Sequence, residues 1–65
     1  MLVRDAKVLK KLMAKFNRLK NQYPGAWGKY FFEMDLRQMG SFVIEGKKYK
    51  IILNADGHPF FENPK

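Results

Sequence analysis

Residues 29–37 read KYFFEMDLR, and this stretch decides the fold predicted for the chain. Apolar side chains occupy every second position from Tyr30 to Leu36, and charged residues lie between them, with Phe31 as the exception. A period of two is typical of a β-strand with one buried face. The stretch therefore predicts a first strand over residues 29–37.

Three glycine-containing turns follow this stretch and predict three further strands. The turns are Gln38-Met39-Gly40, Gly46-Lys47 and Asp56-Gly57. Glycine suits the last position of a three-residue hairpin loop and the first position of a type II′ turn, and Asp-Gly is typical of a type I′ turn. The four predicted strands cover residues 29–37, 41–45, 48–54 and 58–62. Pro59 confines the last strand to an edge of the sheet.

The turns also set a register that brings the large apolar residues to one face. The expected pairs include Leu36 with Phe42, Ile44 with Tyr49 and Leu53 with Phe60. The side chains expected on the buried face are Tyr30, Phe32, Met34, Leu36, Phe42, Ile44, Tyr49, Ile51, Leu53 and Phe60. A slip of one residue at any turn would send the following strand's apolar side chains to the other face, so the agreement among the turns favours this sheet.

Residues 3–22 contain no glycine or proline and predict a helix rich in Lys, Leu, Ala and Met. Its apolar residues recur at spacings of three, four and seven, which form a stripe wide enough to face a core. They are Leu2, Ala6, Leu9, Leu12, Met13, Phe16, Leu19 and Tyr23. Because Pro24 disfavours a helical conformation of the preceding residue, the helix is expected to end near Asn21 or Gln22.

The predicted fold is therefore α+β, with one N-terminal helix packed on a four-stranded antiparallel meander in the order α-β-β-β-β. Residues 1–62 are expected to form this single small domain, and residues 63–65 a short C-terminal tail. No helix-turn-helix is expected, because only one long helix is predicted.

The composition limits the chemistry open to a chain of 65 residues. The chain has no cysteine and a single histidine, His58, which excludes thiolate and histidine-rich metal sites. No apolar run approaches the ~18 residues of a membrane span, and the N-terminus lacks the order of a secretion signal, so the expected compartment is the cytoplasm. Without a nucleophile–histidine pairing or a phosphate-loop spacing of glycines, we predict neither an enzyme nor a cofactor.

The net positive charge of the chain comes entirely from its first half. The net charge is +7, and residues 1–32 contain eight lysines and arginines against one acid, Asp5. Residues 33–65 contain five cations and five acids and are neutral. Such an asymmetry indicates a polyanionic partner.

Seven cations of the predicted helix form the first candidate site, which we call the α1 cations. They are Arg4, Lys7, Lys10, Lys11, Lys15, Arg18 and Lys20. Five of them follow one another at spacings of three and four, in a row expected opposite the apolar stripe and without acidic neighbours. The members of this five-residue row are Arg4, Lys7, Lys11, Lys15 and Arg18. Lysine acts as a point charge that favours phosphates over base edges, so we predict binding of DNA or RNA with low sequence specificity.

The same cations admit other interpretations. A lysine-rich helix face is also typical of a well-solvated surface, and it suits an anionic membrane surface. The main alternative function is that of a small inhibitor or regulator, of phage or mobile-element type, that binds a larger acidic protein.

A second candidate surface combines apolar residues expected outside the core. They are Trp27, Phe31, Val43, Ile52 and Phe61. Exposed aromatic side chains can stack on unpaired bases, but the acids expected beside them favour contact with a protein, including a second copy of the chain. For Trp27 the sequence favours a position that closes the end of the core, with a place at an interface as the functional alternative.

Overall fold

The structure, a computed structural model, describes residues 1–64 and contains two helices followed by three strands. The elements are α1 (Ala6–Lys20), α2 (Gly28–Met39), β1 (Ser41–Ile44), β2 (Lys47–Leu53) and β3 (Pro59–Glu62). The strands form one antiparallel sheet in the order β1-β2-β3. The α+β class is confirmed, but the prediction of one helix on a four-stranded meander is wrong.

Helix α1 begins later than predicted because the residues before it join the sheet. The side chain of Asp5 caps the helix, and its Oδ1 accepts hydrogen bonds from the backbone N–H groups of Lys7 at 2.9 Å and Val8 at 3.4 Å. This cap satisfies donors that a helix start otherwise leaves free. Two residues earlier, the N–H of Val3 donates to the carbonyl oxygen of Phe61.

Helix α2 occupies the stretch that the sequence predicts to be the first strand. Gly28, Phe32 and Leu36 are buried, and their spacing of four places them on one side of the helix. Tyr30 and Phe31 are exposed on the other side. A helix with apolar residues on two opposite sides reads as an alternating pattern, and this is why the period of two was misleading here.

Gly40 ends α2 instead of closing a hairpin. It adopts a left-handed conformation, with φ at 73°, and its N–H donates to the carbonyl oxygen of Leu36 at 2.8 Å. Gly40 therefore has the positive φ that the sequence predicts, but it serves as the cap of a helix.

The hairpin between β1 and β2 turns one residue earlier than predicted. Glu45 and Gly46 form the turn with φ angles of 51° and 80°, the two positive values of a type I′ turn. Tyr49 consequently pairs with Phe42, two residues from the predicted partner Ile44. A shift of two leaves every side chain on its predicted face, so Phe42 and Tyr49 are both buried.

The hairpin between β2 and β3 differs from the prediction by one residue and reverses the face of the last strand. The backbone N–H of Asn54 donates to the carbonyl oxygen of His58, which leaves a three-residue loop ending at Gly57 in a left-handed conformation. Leu53 then pairs with Pro59, and the aromatic residues of β3 exchange sides. Phe61 is 2% exposed and belongs to the core, whereas Phe60 is 39% exposed.

The N-terminus adds a short bridge to the sheet beyond β3. Leu2 pairs with Glu62 in antiparallel orientation, and the N–H of Asn63 donates to the carbonyl oxygen of Met1 at 2.8 Å. Asn63, assigned to the tail by the sequence, is thus hydrogen-bonded to the other end of the chain. Lys65 lies outside the described residues.

One core lies between the two helices and the inner face of the sheet. Its buried side chains are Val3, Leu12, Phe16, Phe32, Leu36, Phe42, Tyr49 and Phe61. Phe16 of α1 meets Phe32 of α2 edge to face, with ring centroids 5.0 Å apart, and this contact joins the helices. Three side chains predicted to be buried are exposed. Tyr30 and Met34 lie on the outer side of α2, and Phe60 lies on the outer face of the sheet because of the register of β3.

Candidate nucleic-acid interface

The five-residue row of α1 cations lies beside the buried side of the helix, not directly opposite it. The buried and half-buried positions of α1 are Val8, Leu12, Met13, Phe16 and Leu19. At 100° per residue, the centre of this group lies roughly 110° from the centre of the row. The sequence prediction included Leu9, which is exposed instead. The helix is therefore rotated so that one margin of the row approaches the sheet.

Lys11 contacts an acid that the sheet contributes. Its Nζ lies 2.5 Å from Oε1 of Glu45, in the turn between β1 and β2. This hydrogen bond and the opposite charge raise the pKa of Lys11 and lower the pKa of Glu45. The expectation that the row has no acidic neighbour is thus wrong at Lys11. Both side chains are more than half exposed, so water and salt screen the pair.

Lys15 reaches the edge of the sheet. Its Nζ donates to the carbonyl oxygen of Val43 at 3.3 Å and lies 5.7 Å from the ring centroid of Phe42. Val43 belongs to β1, the edge strand, whose free carbonyl groups would otherwise offer a template for another strand. Lys15 therefore has a structural role in addition to its charge.

The remaining α1 cations have no carboxylate partner in the described part of the chain. Within residues 1–64 the only ion pair is that of Lys11 with Glu45, so six of the seven predicted phosphate-binding cations have no counter-charge. All seven are exposed to solvent. The structure thus brings the predicted site residues together on one helix and the segment before it, while it binds two of them to the sheet.

The second candidate surface is divided among three places. Trp27 and Phe31 lie on the outer side of α2 and are 72% and 53% exposed, so a position of Trp27 in the core is wrong. Val43 and Ile52 are exposed on the outer face of the sheet. Phe61 faces the core because of the register of β3, so the prediction that it is exposed is wrong.

The sequence prediction missed two residues that accompany Trp27 and Phe31. Tyr30 and Met34 are also exposed on α2, and together the four residues have spacings of three and four. We call this set the α2 stripe. The spacing is visible in the sequence and is typical of one side of a helix, so it could have revealed both the helix and its exposed apolar side.

The structure contains a second helix, so a helix-turn-helix has to be considered. The sequence prediction excluded this motif because it expected only one helix. The segment joining α1 to α2 covers residues 21–27 and is longer than the roughly 3–4-residue turn of that motif. The exposed side of α2 presents apolar rings, where a recognition helix needs polar groups for base edges. The motif is therefore not formed.

An open crevice of about 480 Å³ lies between the end of α1, the start of α2 and the turn before β3. The charged residues that line it are Lys20, Lys29, Glu33 and Asp56. Two cations and two acids give this crevice no preference for an anion. Among residues 1–64, no group of three acidic or histidine side chains is placed to hold a metal ion.

Comparison of the chain with protein-family models, with curated proteins and with solved structures gives no match. Within the part of the chain that the structure describes, neither helix has the length and apolar character needed to cross a membrane.

Proposed function

We propose that this protein binds nucleic acids by contacting phosphates with the α1 cations, with low sequence specificity and without catalysis. The observation that supports the proposal is that six of these seven cations have no acidic partner among residues 1–64, in a chain of net charge +7. An unneutralised group of this kind costs repulsion among its members, which a phosphate backbone relieves while releasing condensed counterions.

The dimensions of α1 suit a phosphate backbone. The helix has 15 residues and a length of about 22 Å, over which phosphates recur every ~3.4 Å along one DNA strand. Five of the six cations within α1 are lysines, which lack the planar fork of arginine and therefore hold phosphates without selecting bases. Weak dependence on sequence and strong dependence on salt are the expected properties.

Lys11 is expected to contribute least among the α1 cations. Its ammonium group already contacts Glu45, and a phosphate has to compete with that carboxylate. Glu45→Gln removes the competing charge and should raise the affinity for nucleic acid modestly, by a few-fold at low salt. The gain should disappear in the Glu45→Gln, Lys11→Gln double variant.

The main test measures fluorescence anisotropy of labelled mixed-sequence DNA and RNA, single- and double-stranded, at about 50 mM and about 200 mM salt. The test variant carries Lys7→Glu, Lys10→Glu and Arg18→Glu, which are exposed positions that form no ion pair with any other of residues 1–64. The matched control carries Lys47→Glu, Lys48→Glu and Lys50→Glu on β2, and it changes the net charge by the same amount at a different place.

If the proposal is correct, the wild-type protein binds the labelled nucleic acids at low salt and loses affinity steeply at high salt. The α1 variant should lose binding altogether, while the β2 control retains much of it. Absence of binding by the wild-type protein at about 50 mM salt would reject the proposal and leave the alternative, a regulator of an acidic protein. Equal loss in both variants would reject α1 as the site.

A further inference from the structure

We propose that two copies of this chain associate through the α2 stripe, with their α2 helices antiparallel about a two-fold axis. The proposal is independent of nucleic-acid binding, because it concerns the other helix. It rests on the exposure of the stripe, on the area that the stripe offers and on the charges around it.

The α2 stripe is exposed to solvent. Trp27, Tyr30, Phe31 and Met34 are 72%, 56%, 53% and 39% exposed. The rings contact one another edge to face, with centroids 6.4 Å apart for Trp27 and Tyr30 and 5.5 Å apart for Tyr30 and Phe31. They form one continuous apolar surface on the side of α2 away from the buried Phe32 and Leu36.

The area of this surface suits a dimer of moderate affinity. A large aromatic side chain carries about 150–250 Å², so the exposed parts of the four side chains amount to about 400–500 Å². The largest apolar patch of a typical monomer is about 300–600 Å² and is often an interaction site. Two copies in full contact would bury about 800–1,000 Å², at or below the lower limit of specific interfaces.

The charges favour a second copy over a polyanion on this side of the molecule. Helix α2 carries two cations, Lys29 and Arg37, and two acids, Glu33 and Asp35, so its net charge is zero. Two α2 helices can therefore approach without the repulsion that would oppose contact between two sets of α1 cations. Nucleic acid or an acidic protein would gain nothing from the balanced charges of α2.

A two-fold axis makes the stripe complementary to itself. Antiparallel alignment centred near Tyr30 and Phe31 places Trp27 of one copy against Met34 of the other, and brings the two Tyr30–Phe31 pairs together. Thioether sulfur packs favourably against aromatic rings, and tryptophan and tyrosine are frequent among residues that dominate binding energy at interfaces.

The experiment combines sedimentation velocity with fluorescence, because Trp27 is the only tryptophan in the chain. The full chain is measured from about 1 μM to about 1 mM, the range of a dimer of moderate affinity. We expect twice the monomer mass at high concentration, together with a blue shift of Trp27 emission as water leaves the ring. The Tyr30→Ala, Phe31→Ala variant should weaken association at least tenfold, since it removes two central rings.

The control variant, Val43→Thr with Ile52→Thr, reduces the exposed apolar surface on the outer face of the sheet. It should associate like the wild-type chain, and circular dichroism at low concentration should show that all variants are folded. A wild-type monomer at about 1 mM overturns the proposal, and so does a dimer whose Trp27 emission does not shift. Quenching of Trp27 by a single-stranded oligonucleotide in a persistent monomer would assign the stripe to base stacking instead.

Discussion

The phenol of Tyr23 donates a hydrogen bond of 2.8 Å to Oδ2 of Asp35 and so joins the segment after α1 to helix α2. The ring of Tyr23 is half-buried, and its centroid lies 6.1 Å from that of Phe32 in the core. The hydrogen bond to the Asp35 carboxylate, together with partial burial, raises the pKa of Tyr23 above its ordinary value. This contact fixes the segment before α2 against the middle of that helix.

The raised pKa predicts a dependence of stability on alkaline pH. Because the pKa of Tyr23 is higher in the folded than in the unfolded chain, the contact stabilises fully below about pH 10 and is lost as the pH rises through the folded-state pKa. Tyr23→Phe removes the contact. The wild-type chain should therefore be more stable than this variant at pH 7, and the difference should shrink above about pH 10.

Urea unfolding followed by circular dichroism between about pH 7 and pH 12 measures this difference. The other tyrosines and the lysines titrate in both proteins, so their effects cancel in the comparison. A difference in the free energy of unfolding that stays constant across this range would show that Tyr23 does not stabilise the fold through its proton.

The approach of Gly28 to the preceding segment predicts an unusual cost for alanine. A Cβ atom at Gly28 would lie 1.8 Å from the carbonyl oxygen of Tyr23, so the backbone would have to move. Gly40 is the matched control, because a Cβ atom there meets nothing within 4 Å and its only cost is the left-handed φ of 73°. Gly40→Ala should cost about 1–2 kcal/mol, and Gly28→Ala should cost more.

Helix propensity alone predicts the opposite result at Gly28, since alanine is favoured over glycine within a helix by about 1 kcal/mol. Chemical denaturation of both variants therefore separates the two effects. A Gly28→Ala variant that is as stable as the wild-type chain would mean that α2 does not start against Tyr23 as described.

Helix α1 was predictable from sequence because its signals agree. The absence of glycine and proline, the spacing of Leu12 and Phe16, and the stop before Pro24 all indicate the same element. Its start was less predictable, because the hydrogen bond from Val3 to Phe61 depends on a partner nearly sixty residues away. The contact of Lys11 with Glu45 was unpredictable for a related reason, since the rotation of α1 depends on which apolar positions the core accepts.

Helix α2 was mistaken for a strand because it combines two apolar sides. Phe32 and Leu36 are buried in the core, whereas Tyr30 and Met34 are exposed on the opposite side of the helix. Together these four residues occupy every second position of the chain, as in a strand. Helix propensity offered little help, since aromatic residues have no strong preference for helices. The two misleading residues, Tyr30 and Met34, belong to the α2 stripe, and conflict between local pattern and fold is expected at residues that make contacts outside the chain.

The register of β3 predicts different costs for substitutions at its two phenylalanines, Phe60 and Phe61. In the structure Phe61 packs against Phe42 in the core, with ring centroids 5.9 Å apart, while Phe60 lies outside beside His58. A two-residue turn at Asp56-Gly57 would reverse these roles. Phe61→Leu should cost about 1–2 kcal/mol through lost packing, and Phe60→Leu should stay within about 0.5 kcal/mol.

Leucine is preferable to alanine in this comparison, because Phe61→Ala should cost about 3–5 kcal/mol, which is comparable to the whole stability of so small a domain. Both leucine variants are expected to remain folded, so their free energies of unfolding can be compared directly by urea denaturation. A larger loss for Phe60→Leu than for Phe61→Leu would show that β3 pairs with the other face inward. Phe60 would then fill the core and Phe61 would face solvent, and the three-residue loop ending at Gly57 would be wrong.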